Sequence, residues 1–121
     1  MPDSIGILAQ VAISNVDSPP GATVVYTVPS ATQTSISSII ICNQDGSNRT
    51  VDIAILNRDT DIGSQFAVEK KNYIFKGLTV NTGETKIISP GITLSQFNAI
   101  AVQGEVSENI SLNIFGIENS E

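Results

Sequence analysis

The chain has 121 residues, with twelve acidic against six basic side chains, no histidine and a net charge of −6. That length fits one domain, read here as residues 1–121, with a core large enough to fold without disulfides or metals. So few cations cannot neutralise many phosphates, which excludes nucleic-acid binding as the main role.

Charged residues are only 15% of the chain, so its polar surface comes mainly from Ser, Thr, Asn and Gln. No apolar run approaches a membrane span, and no membrane association is expected. The N-terminal apolar stretch from Ile5 to Ile13 is short, is broken by Gly6 and Gln10, and has no basic segment before it. It does not read as a secretory signal. The single cysteine, Cys42, allows no internal disulfide and fits folding in a reducing cytoplasm.

Hydrophobic spacing follows a period of two. Ile7, Ala9, Val11 and Ile13 alternate with Leu8, Gln10, Ala12 and Ser14, a first strand that Pro19-Pro20-Gly21 ends. Thr23 to Val28 is a second strand, closed by Pro29. Thr34 to Asn43 is a third, and its run Ile39-Ile40-Ile41 predicts a strand covered on both faces. Asp45-Gly46 then marks a turn, and Thr50 to Leu56 follows with Val51, Ile53 and Ile55 on one face. The third and fourth strands read as a hairpin.

Asn57 to Gln65 reads as a loop and Phe66 to Lys70 as a short strand or part of that loop. Asn72 to Lys76 is a strand with Tyr73 and Phe75 on one face, closed by Gly77, with a connection from Leu78 to Gly83. Glu84 to Ser89 is a strand, Pro90-Gly91 a turn, and Ile92 to Phe97 an irregular or helical segment. Ala99 to Gln103 and Ile110 to Ile117 complete the set, with Ile110, Leu112 and Ile114 facing one way in the last strand. Eight or nine short strands at this spacing predict an all-β fold, an antiparallel β-sandwich of jelly-roll or Ig-like type. Two sheets face to face bury both isoleucine-rich inner faces, at roughly 1.5–3 kcal/mol per fully buried side chain.

The chemistry of catalysis is sparse. Without histidine the commonest general base near neutral pH is missing, and no nucleophile elbow, phosphate loop or Cys-x-x-Cys pair is present. No catalytic residue and no cofactor are assigned. Cys42, directly after three isoleucines, reads as a small buried apolar side chain. Asn57, Asp59 and Asp61 place oxygens at alternate positions, as at the start of a calcium loop. The match is poor, because Gly63 falls one place late and Val68 stands where a bidentate Glu belongs. A solvated turn-rich loop is the plainer reading. Lys70-Lys71, beside Lys76, either faces an acidic patch on a neighbouring subunit or protects a solvated strand edge.

Several stretches occur together: Thr23-Val24-Val25-Tyr26-Thr27-Val28-Pro29, then Ile36-Ser37-Ser38-Ile39-Ile40-Ile41-Cys42-Asn43, then Gly91-Ile92-Thr93-Leu94, then Leu112-Asn113-Ile114-Phe115-Gly116-Ile117-Glu118. This series, over residues 23 to 118, resembles small β-sandwich structural proteins of tailed bacteriophages. The resemblance implies a non-enzymatic virion subunit, made in the host bacterial cytoplasm and incorporated into the particle. A capsid decoration (cement) protein is the first expectation, and a tail, baseplate or fibre subunit the alternative. Its partners would be other virion proteins, the major capsid protein or tail proteins, and further copies of itself in a homo-oligomer. Residues 1–14 lie outside the match and read as an assembly arm or a first strand, with Ile5, Ile7 and Leu8, together with Lys70 and Lys71, as candidate assembly residues. From another class, a carbohydrate- or receptor-binding β-sandwich would need exposed aromatic platforms. The chain has no Trp and only two Tyr, which argues against sugar stacking.

Overall fold

A computed structural model describes residues 4–13, 23–57, 72–104 and 109–120. They form nine strands: β1 (Ser4–Ile13), β2 (Thr23–Thr27), β3 (Thr32–Asn43), β4 (Arg49–Leu56), β5 (Tyr73–Val80), β6 (Thr85–Ile88), β7 (Ile92–Leu94), β8 (Ala99–Gly104) and β9 (Ile110–Ser120). All pairings among them are antiparallel. One sheet has the order β1-β9-β3-β6, with β7 also paired to β3; the other has the order β2-β8-β4-β5. They are called below the β1 sheet and the β2 sheet.

The strand order decides between the two sandwich types. β6 and β7 lie along the same edge of β3, separated by Pro90-Gly91, and behave as one broken strand. With that counting, the chain crosses to the opposite sheet at every connection except the one from β4 to its neighbour β5. This is the jelly roll, two sheets wound from interleaved Greek keys.

The core lies between the sheets. Ile36, Ile39, Ile41, Ile110, Leu112 and Ile114 from the β1 sheet meet Val51, Ile53, Val80, Ile100 and Val102 from the β2 sheet, all essentially without exposure. In β9 the predicted alternation holds: Ile110, Leu112 and Ile114 point inward.

Elsewhere the rhythm breaks at bulges. In β1, Ile7 pairs with Phe115 but Ala9 pairs with Ile114, so Leu8 is an inserted residue. One extra residue flips the faces beyond it. Ala9 and Val11 therefore pack on the core whereas Ile7, expected on their face, is 57% exposed. In β3, Ser37 is extra between Ile36 and Ser38, which lets Ile36 and Ile39, three apart, share the inner face.

Other expectations need correction. β3 and β4 do not form a hairpin: they stand in different sheets, and residues 44–48 carry the chain across the sandwich. The run Ile39-Ile40-Ile41 is not covered on both sides, because Ile40 is only half-buried, on the outer face opposite Ile87 and Asn113. The strand expected to close at Gly77 runs on to Val80. Lys76 and Gly77 (φ 71°) together oppose Asp52, a bulge that glycine permits, and Asp52 Oδ1 accepts a hydrogen bond from the Gly77 amide at 2.7 Å. A second insertion at Ile74 separates Tyr73 from Phe75, so that Phe75 packs on the core and Tyr73 on the outer side of the sheet. Ile92–Leu94 is a strand rather than an irregular segment. The Phe66–Lys70 segment lies outside the described residues.

Two polar clusters fix the fold. Tyr26 in β2 reaches across the sandwich to the β1 sheet, where its hydroxyl bonds to Thr34 Oγ1 at 2.8 Å and donates to the Glu118 carboxylate. Burial first, and then the bond to Glu118, push the Tyr26 hydroxyl well above its ordinary pKa. A proton held more tightly in the folded chain stabilises the fold fully below the ordinary tyrosine value of about 10, and that contribution fades as pH rises beyond it. Tyr26→Phe is expected to lower stability by about 1–3 kcal/mol, because Thr34 is left buried without this partner. It should also remove this alkaline component, which denaturant titrations at pH about 8 and about 11 would read. An unchanged midpoint at both values would refute the clasp.

At the far end, buried Asn43 is fully used. Its Nδ2 donates to the carbonyls of Ser47 and Val80, both at 2.9 Å, while Oδ1 accepts from the Asp45 amide at 2.8 Å. Asp45 in turn accepts from Asn109 at 3.0 Å and pairs with Arg49 at 2.7 Å. These bonds hold its carboxyl below the ordinary value, Asn109 first and Arg49 second.

Candidate assembly surface

The two sheets differ in what they present to solvent. Strand register assigns the outer face of the β1 sheet. Opposite the inward residues of β9 stand Ser111, Asn113, Phe115 and Ile117 pointing out. Their neighbours in register are Ile7, Ser38, Ile40 and, beyond Ile40, Ile87. Ile87 is 65% exposed and Ile117 36%, while Phe115 and Ile40 are half-buried. Cys42 is half-buried on this face too, in register with Ser111 and Thr85.

No Asp, Glu, Lys or Arg of the described residues stands on this face. Glu118 opposes buried Thr34 and Lys86 opposes buried Ile41, so both are on the inward side of the sheet. The face is therefore an isoleucine and phenylalanine surface interleaved with serine, threonine, asparagine and glutamine. At its centre Asn113 Oδ1 is buried with no hydrogen-bond partner. Most buried polar atoms find one, so this acceptor is a departure from the usual rule.

The outer face of the β2 sheet is built differently. Ala54, Leu56, Ala99 and Ala101 form a second buried cluster there, with Val24 and Tyr73 packed against it. Beside it lies an ion pair: Lys76 Nζ is 2.9 Å from Asp52 Oδ2 and 4.6 Å from the Tyr73 ring centre. The bond to Asp52 raises the Lys76 pKa. So the β2 sheet offers an ion pair and a covered cluster, with Ile74 on its edge strand 41% exposed, while the outer face of the β1 sheet carries Ile7, Ile87 and Ile117 uncovered.

The residues singled out from the sequence separate accordingly. Ile7 belongs to the uncharged outer face. Ile5 pairs with Ile117 along the backbone. Leu8 points the other way, onto the core. Lys70 and Lys71 lie outside the described residues, as do Asp59 and Asp61. Asn57 is exposed, and its Oδ1 accepts from Asn98 Nδ2 at 3.2 Å. No group of three or more metal-binding side chains occurs among the described residues. Residues 4–13 form a sheet-edge strand, bonded to β9 from Ser4 to Ile13.

Ile40, Ile87, Phe115 and Ile117 were not recognised as surface residues from the sequence. The signal was present in the doublets Ile40-Ile41, Ile87-Ile88 and Ile114-Phe115. In a two-layer sandwich each sheet has one inner face, so a strand apolar on both sides must show one of them outside. No protein-family model matches the sequence, and no curated protein is similar to it.

Proposed function

We propose that this chain is a non-enzymatic structural subunit of a bacteriophage particle, acting as a capsid decoration protein. The observation that carries an assembly role is the exposed outer face of the β1 sheet, on which the described residues place no charge. Contiguous uncovered apolar surface on a small acidic domain fits a docking face. Charge depletion is also what distinguishes the centre of protein–protein interfaces from other surface. The jelly roll supports the virion part of the reading, because capsid proteins use this fold. So do lectins and cupins, and fold alone does not assign function. The residue series from Tyr26-Thr27-Val28-Pro29 to Phe115-Gly116 adds the resemblance to tailed-phage structural proteins.

The test is immunogold labelling and peptide mass spectrometry of purified particles of the phage whose genome encodes the chain. Labelling spread over the capsid is the expected result. Labelling confined to the tail would move the subunit to a tail, baseplate or fibre position. Detection only in the particle-free lysate would defeat the virion reading.

A further inference from the structure

The outer face of the β1 sheet invites the question of what covers it. We propose that it is covered by the same face of a second copy of this chain, in a two-fold symmetric dimer. This deepens the assembly reading by naming the first partner, and it stands or falls on the purified chain whatever particle the chain belongs to.

The charge distribution selects the occupant. Two copies at −6 each repel at most relative orientations. The β1-sheet outer face is where they can meet without opposing like charges, since the described residues place none there. A partner recognised through charge would need counter-charges on this face, and the described residues offer none there. A surface of isoleucines with interspersed hydroxyls and amides is complementary to itself, which is the requirement of an isologous contact.

The dimensions agree. Four strands about 4.8 Å apart, each presenting about eight residues at about 3.3 Å, span roughly 500 Å². Two such faces together bury roughly 1,000 Å², the size at which specific interfaces begin, so a dimer of micromolar rather than nanomolar affinity follows. Ile87 and Ile7, the two most exposed large apolar side chains among the described residues, stand on opposite sides of the face, on β6 and β1. A two-fold axis in the contact plane, lying over β9 and β3, would cover both.

Burying the face also explains why β3, β6 and β9 carry apolar side chains on both sides. The inner set serves the core, and the outer set the contact.

The experiment is sedimentation velocity of the purified chain across about 1–200 µM, the range set by the expected affinity. It compares the wild type with the Ile87→Asp/Ile117→Asp variant. Both positions are exposed, so the variant should keep the wild-type circular dichroism spectrum. The wild type is expected to shift from monomer to dimer, and the variant to bind itself at least about 100-fold more weakly, since each aspartate would be buried unpaired at the contact. Cys42 supplies an independent reading that needs no variant. It is the chain's one thiol and lies on this face, so its alkylation should slow as wild-type concentration rises.

A wild type that stays monomeric throughout overturns the proposal. So does a dimer that survives the double substitution, or one whose formation leaves Cys42 labelling unchanged. If the double variant does not fold, Ile7→Asp replaces it, read together with Cys42 labelling on the wild type.

Discussion

Ile39→Asp is expected to leave no folded protein at ambient temperature, while Ile40→Asp, one residue on, leaves a folded domain. Ile39 has no exposure and sits in the middle of β3, between β9 and β6, facing the β2 sheet. Aspartate there forfeits the burial of a whole isoleucine side chain, about 2–3 kcal/mol. It also places a carboxylate within the apolar core cluster, adding several kcal/mol more. Together these are comparable with the roughly 5–15 kcal/mol that holds a domain of this size. Ile40 faces the other way and is half-buried, so its aspartate keeps contact with water. A strand covered on both faces, as the run Ile39-Ile40-Ile41 predicts, would make Ile40→Asp unfold the chain; the strand's actual facing transfers that effect to Ile39 and Ile41. Thermal unfolding of the two variants by circular dichroism separates these outcomes. Equal melting temperatures would show that β3 faces differently.

Gly116→Ala should be the most damaging single-methyl change in the described chain. Gly116 is buried in β9, paired to Gly6 on one side and Ile36 on the other. A Cβ at this position would lie 2.2 Å from the Ser35 carbonyl oxygen and 3.0 Å from Leu8 Cδ1. The leucine tip can turn aside, but the Ser35 oxygen is backbone of β3 and cannot move without shifting a central strand. Overpacking in a tight core costs typically about 1–3 kcal/mol, and a clash with backbone falls at or above the top of that range. A drop of about 3 kcal/mol in denaturant-derived stability is the expected result; a loss below about 1 kcal/mol would mean that the β1–β9–β3 register is wrong. The glycine of the Phe115-Gly116 pair thus has a packing reason: it makes room for the inserted Leu8 and for the close approach of β3.

Much of the fold could be read from residue spacing. The period of two in β9, the β-branched run of β2, and the turn residues at Asp45-Gly46 and Pro90-Gly91 all placed strands and breaks where the structure has them. The surface was less legible. Of the two neighbouring residues, Ile7 is exposed while Leu8, inserted at the bulge, packs on the core. Ile87 and Ile117 passed unnoticed because an isoleucine in a strand is ordinarily read as core. Which side of the strand faces the other sheet had to be known first.

The sequence by itself determined that this chain is all-β, that it is built in two layers, and that it lacks the histidine on which so much catalysis near neutral pH depends. Those properties follow from side-chain type and period, which act locally along each strand. Only the tertiary structure decided which strands are neighbours, that β3 and β4 lie in different sheets, and which face of the β1 sheet remains uncovered. Backbone hydrogen bonds are the same for every possible partner strand, so spacing along the chain says nothing about pairing. Each bulge, moreover, reverses inside and outside for everything beyond it.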